Sequence, residues 1–523
     1  MNPRIRISLI IIAIFTVLLS FLGFVIPSVN HIAWFLIIAF VFCGALIKYE
    51  FIGFVLLAEL AIGGHGYLFS ITLAGFPISL RIGFFGVACV TLLYHLIRKR
   101  KFPRIAKTRL AIPFVILVLI IVFGMIRGIA HNNGLITFFD ANAYLSVLYI
   151  VFFTEAFYNV TSLQKAFSTL ISFGTALSLL TIALLGTYAV FHYDNSLKAA
   201  ISVDSTIQQE LSGTSSFSQG AVAQRINPQT TQFQLDPSVT TKTKPASYRW
   251  LRDTGLAQIS YISGRFFRVF FPSHIIMLAI FFVALSLLWR KQTRMSRALL
   301  IGSLISMGAA LFISYSRSLW LGGVIGLLLF AIMWFRQTLH RQRALIVFFV
   351  FLFAVIIILL TTQIGPIFTK RIDSILNPNT EVAGTHRIEL AKALYQQIKN
   401  YPVWGGGFGT LVSFPTVLPN GQVITATFYI YELAYLDIAV KLGGVGLSFF
   451  LLFYGYITYN LSKMYRKFGA PITIGLLAGF VACLTANITT PIFTHPLGFG
   501  LIGLLCAYIF ALYEYTTPTR HLE

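Results

Sequence analysis

ATFYIYELAYLDIAVKLGGVGLSFFLLFYGYI, residues 426–457, passes from a polar segment into a long apolar run. Glu432 and Asp437 open the run, Lys441 stands one turn beyond Asp437, and residues 442–457 carry no charge. About 20 apolar residues in a helix cross a bilayer core, so this stretch reads as a membrane span that starts in water. The segment before it, residues 364–431, is polar and contains GTHRIELAKALYQQIKNYPVWGGGFGT at 384–410. It is rich in charge, aromatics and glycine, and it lies between two apolar runs.

Working outward, the same pattern repeats. The chain has 523 residues, 57% hydrophobic and 11% charged, with a mean hydropathy of +0.82. A soluble domain carries roughly 25% charged residues, so the solvent for most of this chain is a bilayer. Spans are expected near 6–27, 31–47, 51–69, 81–97, 109–127, 138–157, 167–190, 269–289, 298–315, 318–335, 344–363, 432–457, 470–487 and 496–513. That is an all-α, polytopic membrane protein of roughly 14 helices. Met1 to Pro27 has a basic start and an apolar run but no small-x-small cleavage site, so it reads as the first span. The net charge is +23. Its basic residues gather in short loops, with Arg98–Lys99–Arg100–Lys101 the densest cluster, which sets that side as cytoplasmic along with both termini. A nucleic-acid partner is not expected. Cys43, Cys89, Cys483 and Cys506 all fall in apolar runs and read as core residues, not disulfide partners.

The organisation is therefore N-terminal helices over 1–190, an outer loop over 191–266, central helices over 267–363, a large outer loop over 364–431 and C-terminal helices over 432–523. The first loop is rich in Ser, Thr, Gln and Asn, a composition that permits disorder. In the second, Ile388, Ala391, Leu394, Tyr395 and Ile398 share one helical face. Thr385 is the expected N-cap and Pro402 the stop. This amphipathic helix suits a membrane surface, and it equally suits packing on its neighbours. No fixed-period repeat is visible, nor paired broken helices of the kind transporters use.

Several ionisable residues on the outer side are candidates for chemistry. Arg265 and Arg268 lie in SGRFFRVFFPSH, where a loop re-enters the membrane, and Arg317 lies in the tight turn SYSRSLWLGG. Arg387 begins the amphipathic helix, and Arg127 closes a span. Arginine is suited to two-pronged phosphate binding; the alternative is that each snorkels or pairs with a loop carboxylate. Glu432, at a half-buried mouth, suits a general base, or is an acid favoured by the helix macrodipole. Asp437 and Lys441, spaced i, i+4, are placed to neutralise each other. Asp140 is a weaker candidate. His386 is an acid, base or ligand candidate, as are His274 and His495. Trp404 to Gly409 is not a nucleotide loop, because it lacks Lys-Ser/Thr and follows no strand; its glycines permit a tight backbone.

The order of these segments resembles the bacterial O-antigen ligase/polymerase superfamily over about residues 260–450. Gly264, Arg265 and Pro272 match its Gly-Arg, Phe-rich, Pro-Asn stretch, with Ser273 replacing the asparagine. SYSRSLWLGGVIGLL matches its Ser-Arg turn at Arg317. Arg387, Pro402, Gly407 and Gly409 match its Arg…Ala-Leu…Pro-x-Gly-x-Gly stretch, and Tyr435, Leu436, Gly443 and Gly446 its helix start. In that register Glu432 stands where the family has histidine, and Leu433 where it has asparagine.

The resemblance implies a GT-C type membrane glycosyltransferase that inverts the anomeric centre, without cofactor or metal. The donor would be an undecaprenyl-diphosphate-linked glycan, used at the periplasmic face of the bacterial inner membrane. Arg265, Arg268, Arg317 and Arg387 would hold the diphosphate, Glu432 would deprotonate the sugar hydroxyl, and Tyr435, Asp437, His386, Gly407 and Gly409 would support them. Polymerisation of O-antigen or another surface polysaccharide comes first, on the span count and the missing histidine. A ligase moving glycan to lipid A–core or protein comes second, and a lipid-glycan flippase third. A chain-length regulator protein is a candidate partner.

Overall fold

Helix starts follow local rules. Pro27, Pro471 and Pro496 each occupy the first position of a helix, where the missing N–H costs nothing. Ser79, Asn133 and Thr293 cap others through their side chains, as short polar residues do. The computed structural model describes residues 3–73, 75–100, 102–191, 245–263, 266–288, 290, 292–335, 382–417 and 423–516. Among them ten helical segments are long and apolar enough to cross a membrane, with two shorter apolar helices, His274–Leu287 and Pro471–Ala486.

We number the helices α1 (Pro3–Val25), α2 (Pro27–Ile47), α3 (Glu50–Ile62), α4 (Leu80–Lys99), α5 (Ala111–His131), α6 (Gly134–Asn142), α7 (Tyr149–Ala156), α8 (Val160–Phe191), α9 (Ala246–Asp253), α10 (His274–Leu287), α11 (Arg294–Ile313), α12 (Arg317–Phe335), α13 (Val382–Asn400), α14 (Ala434–Phe468), α15 (Pro471–Ala486) and α16 (Pro496–Thr516). Three two-stranded antiparallel hairpins interrupt them: β1 (Ser70–Leu73) with β2 (Phe76–Ser79), β3 (Gln258–Ser263) with β4 (Phe266–Phe270), and β5 (Val412–Val417) with β6 (Val423–Phe428).

α10, α15 and α16 form the centre, with α10 and α12 packed on α15. Small residues let them approach: a Cβ at Gly475 would fall 2.5 Å from the Phe282 carbonyl oxygen, and one at Gly479 would lie 2.9 Å from Ala279 Cα. Close approach through small residues is how helices associate in lipid. The outer helices invert the soluble pattern. Phe40 on α2 is 70% exposed and Ile112 on α5 71% exposed, apolar surface that only a bilayer would cover.

Four sequence expectations change. The span expected at 51–69 is the 13-residue α3, cut short where Gly64 and Gly66 take positive φ. The span expected from 269 begins at His274, because residues 266–270 pair as a strand. Thr385 lies inside α13 rather than at its cap, since the helix starts at Val382. The face α13 buries also differs: Leu390 and Leu394 are enclosed while Tyr395 is 56% exposed, because the helix lies on the β5–β6 hairpin and the start of α14. The span expected at 344–363 and most of the 191–266 loop lie outside the described residues. All four cysteines are free thiols.

Candidate functional site

The segments that carry the described candidate residues lie at one end of the bundle. The chain reverses there at 63–79, 131–134, 255–273, 314–317, 401–434 and 487–495, and hydrogen bonds tie these segments together. Gly64 N donates to Ser273 Oγ at 3.3 Å, and Ser318 and Thr490 hydroxyls are 2.7 Å apart. Asn132 Nδ2 donates to the Gly406 and Phe408 carbonyls at 3.0 Å each.

Its foundation is a broken helix. Within α14, Gly443 has φ 70° and ψ −172°, a conformation only glycine adopts easily. The glycine run 405–407 docks in the break. Gly406 N and Gly407 N donate to the Val440 and Lys441 carbonyls at 2.8 and 2.9 Å, while Gly444 N donates to the Pro402 carbonyl at 2.8 Å. Helix groups freed by the break are thus satisfied by the loop. A side chain at Gly443 would collide with the Val403 carbonyl, and one at Gly407 with the backbone of Gly128. The far side of the loop rests on α5 and α6. Arg127 Nε donates to the Gly405 carbonyl at 2.6 Å, and Gly409 N donates to Asp140 Oδ2 at 2.7 Å.

Beneath the loop is a buried charge cluster. Lys441 Nζ lies 2.6 Å from Asp140 Oδ1 and 2.6 Å from Asp437 Oδ1, with the three side chains only 1–2% exposed. Tyr144 OH donates to Asp437 Oδ2 at 3.3 Å. The expected i, i+4 pair is therefore present. Its third member is only a weak candidate in the sequence, because Asp140 is 301 residues from Lys441 and nothing local signals the contact. Asp437 is enclosed and has no surface to offer a substrate; here it positions α14.

Above the loop, Arg387 Nε and Glu432 Oε2 pair at 2.8 Å, with 31% and 24% of their side chains exposed. The expected base and an expected diphosphate ligand are thus in direct contact at a mouth open to water. They sit on a small core of Leu390, Leu394, Phe414, Phe428 and Tyr431. Tyr431 OH donates to the Thr410 carbonyl at 2.6 Å, tying this core to the glycine loop. His386 packs edge-on against Phe414 with ring centroids 5.0 Å apart. Burial holds its pKa below the ordinary histidine value; Glu432 opposes the shift and Arg387 reinforces it. A neutral imidazole at pH 7 suits packing better than proton donation.

Arg268 and Arg317 share a second turn. Tyr315 takes the left-handed conformation, φ 50°, unusual for a non-glycine residue. Arg268 Nε, on β4, donates to the Ser314 carbonyl at 2.9 Å. Phe266 stacks edge-on against Tyr315, with centroids 5.9 Å apart. Arg317, partly exposed, begins α12 immediately after this turn. Arg265 lies outside the described residues. The start of α12 and the start of α14 both meet the end of α15 and the loop after it: Ser318 meets Thr490, and Tyr435 OH donates to the Leu484 carbonyl at 2.9 Å. Tyr435 is thus a tie between α14 and α15. His274 and His495 are fully or nearly fully buried.

Among the described residues no three His, Cys, Asp or Glu side chains gather so as to hold a metal ion. What the arrangement offers is one guanidinium, Arg387, beside a carboxylate, Glu432, and a separate turn that carries Arg268 and Arg317. Residues 302–451 match a family model described as O-antigen ligase. The match supports the resemblance to the O-antigen ligase/polymerase superfamily and covers Arg317, Arg387, the glycine loop and Glu432. No curated protein matches the chain.

Proposed function

From the premise that residues 302–451 carry the O-antigen ligase family's pattern, we propose that the chain is a membrane glycosyltransferase. It polymerises undecaprenyl-diphosphate-linked repeat units at the periplasmic face of the inner membrane. The observation that carries this reading is the partly exposed Arg387–Glu432 pair at 2.8 Å. In this reading the cation serves a phosphate and the carboxylate beside it serves a hydroxyl.

In the reaction, the acceptor sugar's hydroxyl oxygen attacks the donor's anomeric carbon from the face opposite the diphosphate. The bond from carbon to diphosphate oxygen breaks, and its electron pair leaves with undecaprenyl diphosphate. The hydroxyl proton goes to Glu432. Arg317 and Arg268, with Arg265 and Arg387, stabilise the charge growing on the leaving group, a role assigned here to arginines and not to a bound metal. While Arg387 holds Glu432 Oε2, that oxygen is occupied; a diphosphate that draws Arg387 away frees it for the hydroxyl.

Incubating the purified protein with a lipid-diphosphate oligosaccharide tests the reading. A ladder of products on a gel supports polymerisation. Transfer only to a distinct acceptor supports the ligase, the activity after which the matched family is described. Absence of any product turns attention to transport. Glu432→Gln is expected to slow turnover by about 10²–10⁴-fold with donor binding kept, the usual size of a general-base effect. Unchanged turnover in that variant removes Glu432 from the mechanism.

A further inference from the structure

A half-open apolar groove of about 150 Å³ lies between α5 and α14, lined by Leu119, Phe123, Trp404, Leu442 and Val445. Leu442, Val445 and Gly446 flank the break at Gly443, and Trp404 directly precedes the glycine loop. Trp404 is 50% exposed and Leu119 59% exposed, so the groove faces what surrounds the bundle. Phe123 and Trp404 close its top with ring centroids 5.3 Å apart.

One turn above Phe123 on the same helix stands Arg127. Its Nε is committed to the Gly405 carbonyl at 2.6 Å, and its guanidinium lies 5.7 Å from the centre of the Tyr401 ring. Among the described residues no carboxylate pairs with it. A half-buried guanidinium with unspent donors at the head of an apolar groove matches an amphiphile with a phosphate head and a hydrocarbon tail. Arg127 belongs to α5, whereas Arg268 and Arg317 belong to the β4 strand and the α12 start.

We propose that this groove binds a second polyisoprenyl-phosphate lipid, its chain against Phe123, Trp404 and Val445 and its phosphate on Arg127. The inference rests on the glycosyltransferase reading. A polymerase joins two lipid-linked glycans and needs a seat for each lipid, and the groove supplies the one that Arg268 and Arg317 do not.

Native mass spectrometry of the full chain in detergent with undecaprenyl monophosphate, against a tenfold excess of phosphatidylglycerol, tests this. Two bound undecaprenyl phosphates are expected. Leu119→Trp, which fills the groove, and Arg127→Gln, which removes the charge, should each lose one, with at least a tenfold drop in its occupancy. Arg317→Lys should weaken the other. If Leu119→Trp and Arg127→Gln both keep wild-type binding, the groove is not a lipid-phosphate site. Displacement of the groove lipid by phosphatidylglycerol overturns it equally, since bulk lipid then fills the space. A single lipid lost in Leu119→Trp but kept in Arg317→Lys supports the groove while counting against the diphosphate role of Arg317.

Discussion

Lys441→Met is expected to destabilise the protein by about 3–5 kcal/mol, the usual cost of breaking a buried ion pair by removing one partner. Lys441 lies 2.6 Å from each of two carboxylates, and the three groups are almost wholly enclosed. Without the ammonium, Asp140 and Asp437 are left facing each other in a site that water does not reach. Coulomb repulsion and lost solvation then act in the same direction. Asp140 also accepts from Gly409 N, so the damage should spread to the glycine loop and through it to the Arg387–Glu432 mouth. The thermal midpoint in detergent, read together with the gel-filtration profile, checks this. The triple change Lys441→Met, Asp140→Asn and Asp437→Asn removes all the charge and should recover much of the loss, because an amide carbonyl in place of the Asp140 carboxylate can still accept from Gly409 N. A midpoint for Lys441→Met alone within a degree or two of wild type would show that the cluster holds nothing together.

How much of this could be read in the sequence depended on distance along the chain. Asp437 and Lys441 are one helical turn apart, so helix geometry alone places them in contact. Asp140 is separated from Lys441 by most of the chain, and only packing of α6 against the broken helix brings it in. The glycines show the same division. Their number at 405–409 signals a tight backbone, but that the loop replaces hydrogen bonds inside another helix follows from Gly443, which lies in an apolar run that otherwise looks continuous. Apolar periodicity located most helices, yet it missed the hairpins at 70–79 and 258–270, since short apolar strands beside a membrane helix resemble its continuation. For α13 the stripe is displaced: Tyr395 reads as part of the apolar face because of its ring, while the face that packs runs through Leu390 and Leu394. Arg387 and Glu432 were legible singly, one as a charge in the amphipathic helix and the other as a charge at the start of a span. Their pairing was not, because the β5–β6 hairpin folds between them.

Arg317→Lys is expected to lower turnover by about 10²–10³-fold while the protein still folds, the size typical of losing one donor to a developing oxyanion. The reason begins with where Arg317 stands. It is the first residue of α12, and a helix macrodipole favours negative charge at that end. Arg268 is held at the same turn through the Ser314 carbonyl, so two cationic side chains gather beside a helix end that itself attracts anions. An anion seated among the guanidinium groups and the first amides of the helix is favoured by both. A diphosphate is such an anion, with oxygens spaced for the fork of a guanidinium. Lysine keeps the charge but offers a point in place of the guanidinium's planar fork, so the fold should survive and the chemistry should not. Gel filtration reads the first and the product ladder reads the second. A near-normal ladder from the lysine variant would mean that charge alone suffices at this turn, and the diphosphate would then have to be held by Arg387 and its neighbours.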